Sequence, residues 1–500
     1  SAGAGSYKTY DTELFKSHKF DDAQIIVFGK AFNTSGYRDQ SWSHQKSSGM
    51  MVKKDFSGQD SLGLRLFASD GESSLPGAIS LNDARINPRQ AQYPGAYTPL
   101  NSHQISAIIF GEKHLSNSTD FVLETGIKKK DYSYQNYSSW GPGYYSTSYE
   151  AKNIFLSPRL KIKDFISPKN KLVLGLDISN WERFNNCVRG THTCLHSTSL
   201  PNGYNGKGSQ NSYAAYIKNE YDISSKDILI LGARLEEAKN TSGDDYWGNQ
   251  TSKHNMHALE AQYQRKLSTT SLIYFKAGKN YRLPNVDNVI GAAYNISVAW
   301  PILKPQTSND YEVGLTGNLL SSKYSVTAFY SSIKNEIIYD PTANNGWAGN
   351  INLEGTERKG IEASISKKID LFSLKTFAQI IDTKNTKGAY VGKKVPGVAE
   401  YLYGLNIEFA PTSNQILAFD TRVIDGQYAQ SDFLNTEKMK SYSVSNFRYI
   451  YKTKGFTSTL SVNNIFDKNY WDTAVYDSYS GITVYPSPRR NIYLNIKYLM

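Results

Sequence analysis

The chain has 500 residues, a mean hydropathy of -0.51 and a formal charge of +11. No stretch approaches the roughly 20 apolar residues of a transmembrane helix, and the cations are scattered rather than gathered into a stripe, which argues against nucleic-acid binding. Two classes survive: a large secreted β-protein such as a propeller or β-helix, and a closed membrane barrel, whose alternating strands keep mean hydropathy low. The 37 Tyr, 21 Phe and 7 Trp turn the reading towards the barrel, because Tyr and Trp rings suit the boundary between apolar medium and water.

In chain order, the first legible strand covers about residues 8–19 and ends in a short turn at Phe20-Asp21-Asp22. Leu172, Leu174, Leu176 and Ile178 then set an apolar period of two. Tyr324, Val326, Ala328 and Tyr330 repeat it against Lys323, Ser325, Thr327 and Ser331, with Phe329 out of step. Tyr401, Tyr403, Leu405, Ile407 and Phe409 alternate with Gly404, Asn406 and Glu408, and Ile492, Leu494, Ile496 and Tyr498 close the series. Ser325, Thr327, Asn406 and Glu408 are therefore expected on a wet face, and Tyr324, Val326, Leu405, Ile407 and Phe409 on a lipid face. A sandwich also has one-sided strands, so the connections decide. Tight turns at Ser167-Pro168-Lys169-Asn170, Ser224-Ser225-Lys226-Asp227 and Ser321-Ser322 alternate with long polar stretches at 73–100, 135–147, 185–210, 283–306 and 340–352. Short turns at one rim and long loops at the other define an outer-membrane barrel. The fold expected is an all-β, transmembrane antiparallel β-barrel over residues 1–500, of about 21 strands.

Five motifs in order sharpen this. They are Asn33-Thr34-Ser35-Gly36-Tyr37-Arg38-Asp39; Tyr281-Arg282-Leu283-Pro284-Asn285 followed by Leu303-Lys304-Pro305-Gln306 and Glu312-Val313-Gly314; Gly360-Ile361-Glu362; Val462-Asn463-Asn464-Ile465-Phe466-Asp467-Lys468-Asn469-Tyr470; and Pro488-Arg489-Arg490. Together they resemble the barrel of the TonB-dependent outer-membrane receptors. Two departures stand out: Arg489 replaces the family's usual Gly, which implies a turn without positive φ, and Met500 stands where the family ends in an aromatic residue. The resemblance implies an N-terminal plug inside the barrel and a TonB-pairing segment, and neither is legible in this sequence. Bacterial single-chain barrels have even strand numbers, so an odd count predicts a parent barrel of 22 strands, the size of plugged transporters, with its first strand missing and residues 1–7 at the outer rim.

The resemblance further implies an outer-membrane receptor for active import of a scarce nutrient, a ferric siderophore first, energised through TonB. Other small ligands (an anionic cofactor, cobalamin, haem) are the alternatives within that class. A passive porin or surface adhesin is the alternative outside it. Leu75-Pro76-Gly77-Ala78 and Asn87-Pro88-Arg89-Gln90-Ala91 are similar to a loop in receptors for citrate-type siderophores and small anionic cofactors. Haem is disfavoured, because residues 285–300 lack the His that haem receptors carry there. Lipopolysaccharide and outer-membrane lipid are expected partners of a monomeric chain.

No Gly-x-Ser-x-Gly, His-Glu-x-x-His or phosphate loop is present, and Asn205-Gly206-Lys207-Gly208 reads as a turn. Neither an enzyme nor a bound cofactor is expected. Cys187 and Cys194 lie seven apart between polar residues; in an oxidising compartment they read as a loop disulfide rather than as a metal site with His192 and His196. His254 and His257 face opposite sides of one strand, which also speaks against a metal. Tyr132, Tyr134, Tyr137, Trp140, Tyr144 and Tyr145 form the most aromatic stretch, either a ligand-stacking floor or, the reading preferred, a rim girdle. Arg38, Arg89, Arg183, Arg189 and Arg282 are placed in or beside outer loops, where charge-assisted hydrogen bonds could hold an anionic ligand and solvation explains them as well.

Overall fold

The computed structural model describes every residue except 57–58, 97, 139–142, 189–203, 245–247, 291–302, 341–342, 344–348, 478–479 and 500. Its strands and helices in order are β1 (Ala2–Gly5), β2 (Thr9–Lys19), β3 (Ala23–Thr34), β4 (Ser43–Asp55), β5 (Ser61–Ser74), β6 (Ile79–Ser80), α1 (Leu81–Ile86), β7 (Pro99–Ser116), β8 (Thr119–Ser138), β9 (Gly143–Lys163), β10 (Asn170–Val188), β11 (Tyr204–Asp222), β12 (Asp227–Asp244) and β13 (Gly248–Lys266). There follow β14 (Leu272–Arg282), α2 (Val286–Ile290), β15 (Gln306–Leu319), β16 (Ser322–Asp340), β17 (Gly349–Ile369), β18 (Phe372–Lys387), β19 (Tyr401–Thr412), β20 (Gln415–Ile424), β21 (Tyr442–Thr453), β22 (Phe456–Asn463), β23 (Trp471–Asp477), β24 (Gly481–Pro486) and β25 (Asn491–Tyr498). All but β6, β23 and β24 join one 22-stranded antiparallel sheet, in which β1 pairs with both β2 and β25 and closes the ring. Closure leaves no unpaired edge, the condition for crossing lipid.

Short connections turn tightly. Leu320 and Ser321 both take positive φ, 49° and 61°, the primed turn whose twist matches that of the flanking strands. At the other rim the loops are long. The loop after β14 identifies the inner face: its Pro284 carbonyl accepts from the Gln210 and Asn240 side chains, and α2 rests against β10, β11 and β12. A loop folded into the mouth touches the concave side, so Gln210 and Asn240 point inwards. Strand register carries that assignment around the ring. Ser325, Thr327, Asn406 and Glu408 face the lumen; Tyr324, Val326, Leu405, Ile407 and Phe409 face out, as the alternation requires. His254 faces in and His257 out.

Two expectations need correction. The count of about 21 strands misses β1, and with it the inference of a missing first strand. Ala2 lies level with Ile496 and Gly5 level with Tyr493, so β1 runs outwards and Ser1 lies on its short-turn side. The Ala2-Gly3-Ala4-Gly5 sequence has no hydrophobic alternation to betray a strand. The space beside it is small: a Cβ on Gly5 would stand 2.6 Å from the Ile492 carbonyl oxygen, and one on Gly3 would displace the Tyr493 hydroxyl, 1.8 Å away. Further, most of the 135–147 stretch is strand, since β8 runs to Ser138 and β9 starts at Gly143.

Candidate ligand-binding mouth

The upper inner wall of β8, β9 and β10 gathers cations and rings. Alternation places Lys128, Lys130, Tyr132 and Tyr134 of β8 on the inner face, while Lys129 points out to Glu150 (2.9 Å). Across the ladder Lys130 and Arg183 both stand opposite Ala151. They therefore flank one small side chain, about 10 Å apart at two strand spacings. The row above is Tyr132 beside Tyr149, stacked at 4.8 Å, with Tyr134 at 6.0 Å from Tyr132. The row below is Lys128, Asn153 and Trp181. The Arg183 guanidinium lies 3.9 Å from the Tyr149 ring centre and donates to Asn185 (2.7 Å) and to Asp287 of α2 (2.5 Å). Lys130 sits 5.2 Å from the Tyr132 ring and Lys128 5.3 Å from that of Phe155.

Elsewhere on the inner wall several cations are paired with carboxylates. Arg65 pairs with Glu124 (3.3 Å), Lys161 with Glu112 (2.9 Å), Lys276 with Glu260 (2.8 Å) and Arg358 with Glu336 (2.6 Å). Arg234 binds Asp177 and Glu236 and donates to Tyr281, which reaches back from the end of β14. Among the described residues Lys128 and Lys130 have no acidic partner of this kind. Lys128 and Lys130 thus add two cations without acidic partners to the wall beside the aromatic rows.

The other sequence-selected arginines are placed differently. Arg38 is buried, its guanidinium donating to the carbonyls of Gly77 (2.5 Å) and Gln90 (2.8 Å), and burial pulls its pKa down. It pins the 75–98 loop and presents no charge to a ligand. Arg89 lies 5.8 Å from the Tyr37 ring, which meets Tyr7 edge-on at 5.6 Å. Arg282 is exposed and donates to the Ile337 carbonyl (3.3 Å). Arg189, Trp140, the side chains of Tyr137, Tyr144 and Tyr145, and the Cys187–Cys194 pair lie outside the described residues. Sequence reading missed Lys128, Lys130 and Tyr149. The first two were within reach, because the period of two running back from Tyr132 puts them on its face; Tyr149 needed the register.

Near the seam the loops pack into a cap. β6, β23 and β24 form a three-stranded sheet, and Ile79, Ala84, Ala429, Ala474, Ile482 and Val484 make a small core with Leu81 and Trp471. The Arg489 that replaces Gly binds Asp467 through two nitrogens (3.0 and 2.7 Å) and keeps an ordinary φ among the described residues. This bidentate contact, with the Arg490 N–H behind it, holds the Asp467 carboxyl down at about 2.

A closed 22-stranded antiparallel barrel with apolar residues outwards and polar residues inwards is the architecture of an outer-membrane barrel. The chain matches the TonB-dependent receptor-like β-barrel family over residues 3–465 and belongs to that family, which resides in the outer membrane. Solved structures share the fold. The ferric yersiniabactin uptake receptor FyuA of Yersinia pestis superposes with a TM-score of 0.82 at 14% identity, covering 99% of this chain and 79% of that one. The ferric citrate transporter FecA gives 0.84 at 15% identity, covering 99% and 77%. The copper transporter OprC gives 0.82 at 15%, covering 99% and 79%.

Proposed function

We propose that the protein is the receptor and wall of an active importer for a small anionic metal chelate, a ferric siderophore in the first place. The observation that carries this is the seat formed by Lys130 and Arg183 on either side of Ala151, roofed by the Tyr132–Tyr149 stack. Ala151 leaves room, Lys130 brings an ammonium without an acidic partner, Arg183, anchored on Asp287, brings a guanidinium with further N–H donors, and the rings offer faces to a planar chelating group. A ferric chelate whose ligand carries more than three negative charges is a net anion, and unpaired lysines on this wall attract it. The receptors named for ferric yersiniabactin and ferric citrate support the same substrate class. Import against a gradient needs work. TonB would supply it by pulling on a plug of the kind the family carries, with the barrel providing the binding mouth and no bond chemistry.

The test is growth of a receptor-deleted strain on a panel of iron sources. Complementation with the full receptor should restore use of one anionic ferric chelate, and the Lys130→Glu/Arg183→Glu receptor, present at equal surface level, should fail on that source. Growth unaffected by the double substitution overturns the assigned site. Steady, ligand-independent permeability of the full receptor overturns active import in favour of a passive pore.

A further inference from the structure

We infer that Arg159, low on the inner wall, forms a second anion site, which takes the charged groups of the chelate as it nears the periplasm. This rests on the import of an anionic chelate proposed above. The ladder places the residue. Arg159 stands opposite Val122 of β8 and Gly175 of β10. Val122 lies an even number of residues from Lys130, and Gly175 from Arg183, so Arg159 shares their inner face. The run from Lys130 to Val122 puts it about 27 Å below the seat, at about 3.4 Å per residue. It lies just before the end of β9 at Lys163, on the short-turn side.

What singles it out is an unmet donor. The Arg159 Nε is buried without an acceptor, a state that folded proteins seldom leave uncorrected. Two other arginines share it among the described residues. Arg38 is held by the Gly77 and Gln90 carbonyls, and Arg448 has Asp420 at 3.8 Å. Arg159 has no carboxylate: Glu112, on the same rung across Val122, is taken by Lys161 (2.9 Å). Inward lysines without an ion pair, such as Lys218 and Lys375, are exposed, so water serves them. Arg159 is half-buried, and its missing acceptor is one that a ligand can bring.

The surroundings are a second, independent observation. Gly175 offers no side chain beside the guanidinium, and a Cβ there would stand 2.2 Å from the Tyr216 ring, so that ring lies over the glycine. Cation, small residue and tyrosine ring repeat the composition of the seat above, where Arg183 adjoins Ala151 and Tyr149. Between the two levels the inward carboxylates are bound, Glu124 by Arg65 (3.3 Å) and Asp177 by Arg234. An anion leaving the seat therefore meets Lys128, then neutralised carboxylates, then the free donors of Arg159. A guanidinium binds carboxylate and similar oxyanions through paired N–H groups, which fits the deprotonated oxygens at the rim of such a chelate.

The experiment follows radiolabelled iron, as the anionic chelate that supports growth, into cells carrying the full receptor. Surface affinity is measured in de-energised cells and uptake rate in energised cells at saturating chelate, both per receptor at the surface. Arg159→Gln should keep the parent's surface affinity and import about tenfold more slowly, the scale of one or two charge-assisted hydrogen bonds. Arg159→Lys, which keeps the charge, should recover most of the rate, and Lys375→Gln should match the parent. Uptake by Arg159→Gln at the parent's rate overturns this inference alone, as does a lysine variant as slow as the glutamine one. A fall in surface affinity, or equal slowing by Lys375→Gln, also overturns it, since the effect then lies at the mouth or in the general charge of the lumen. Raised entry of vancomycin in the Arg159→Gln strain assigns the residue to seating a plug and overturns it as well. A parent that imports no anionic chelate removes the proposed function, and this inference with it.

Discussion

Arg38 and Arg183 look alike in the sequence, both arginines near outer loops, and their surroundings give them opposite tasks. Arg38 spends its charge on loop carbonyls in a buried site. Arg38→Ala leaves those acceptors unpaired, at about 1–3 kcal/mol each; the expected outcome is faster proteolytic cleavage within the 75–98 loop with no change in barrel melting, read on a cold gel. Arg183→Ala removes a guanidinium from the mouth and leaves the Asp287 carboxylate there unpaired, without touching the cap, and should weaken binding of an anionic chelate about tenfold or more, measured by fluorescence quenching, while loop proteolysis stays unchanged. The Arg489–Asp467 contact adds a pH prediction. The Asp467 carboxyl is depressed to about 2 from its ordinary value of 3.8, so its stabilising contribution is present above about pH 4 and is lost as pH falls through the interval down to about 2. Amide exchange in the 464–470 segment should rise across that interval and nowhere between pH 5 and 8. A flat profile in the acid range, or one matched by Asp467→Asn at pH 7, would show that the pair is not closed in solution. The sequence marked the departure from Gly at 489 but not its partner, because a long side chain's target depends on how two loop segments meet.

Among elements, what alternates was legible and what does not was hidden. The Leu172–Ile178 and Tyr401–Phe409 runs announced both strand and face, since a one-residue slip would turn every side chain over. β1 could not be read: four small residues carry no polarity pattern, and the strand exists because β2 and β25 both offer it a ladder. The cap was equally hidden, since its core is assembled from three loops distant in sequence. β1 contributes only four paired residues on each side, against the eighteen register pairs joining β10 to β11. The seam is therefore the weakest ladder of the ring. Gly3→Val drives a side chain into the Tyr493 ring and should lower the temperature at which the barrel unfolds on heat-modifiability gels by several degrees, on the order expected for a few kcal/mol of overpacking. Gly71→Val, where the nearest atom stands 3.6 Å from the added Cβ, is the matched control. Equal effects of the two substitutions would mean that the seam is not the weak point.

At the scale of the whole molecule, the net charge of +11 says little until the fold sorts it. The inner wall from β10 to β17 binds many of its cations to carboxylates, and ion pairs of this kind project a weak field. Lys128 and Lys130, resting on aromatic rings instead, keep their full charge directed into the mouth. A cleft lined by one sign of charge raises the local concentration of the opposite ion and speeds its capture, and salt weakens that effect. The screening length shortens from about 10 Å at 0.1 M salt to about 3 Å at 1 M. Association of an anionic ferric chelate with the full receptor should therefore slow steeply with added salt in stopped-flow measurements, while dissociation changes little. Lys128→Gln/Lys130→Gln should lower the association rate at low salt and flatten its salt dependence. A neutral chelate of similar size should show neither effect. If the double variant retains the parent's salt dependence, the steering field arises elsewhere on the rim, and the β8 wall is a packing surface whose lysines do no more than cover their rings.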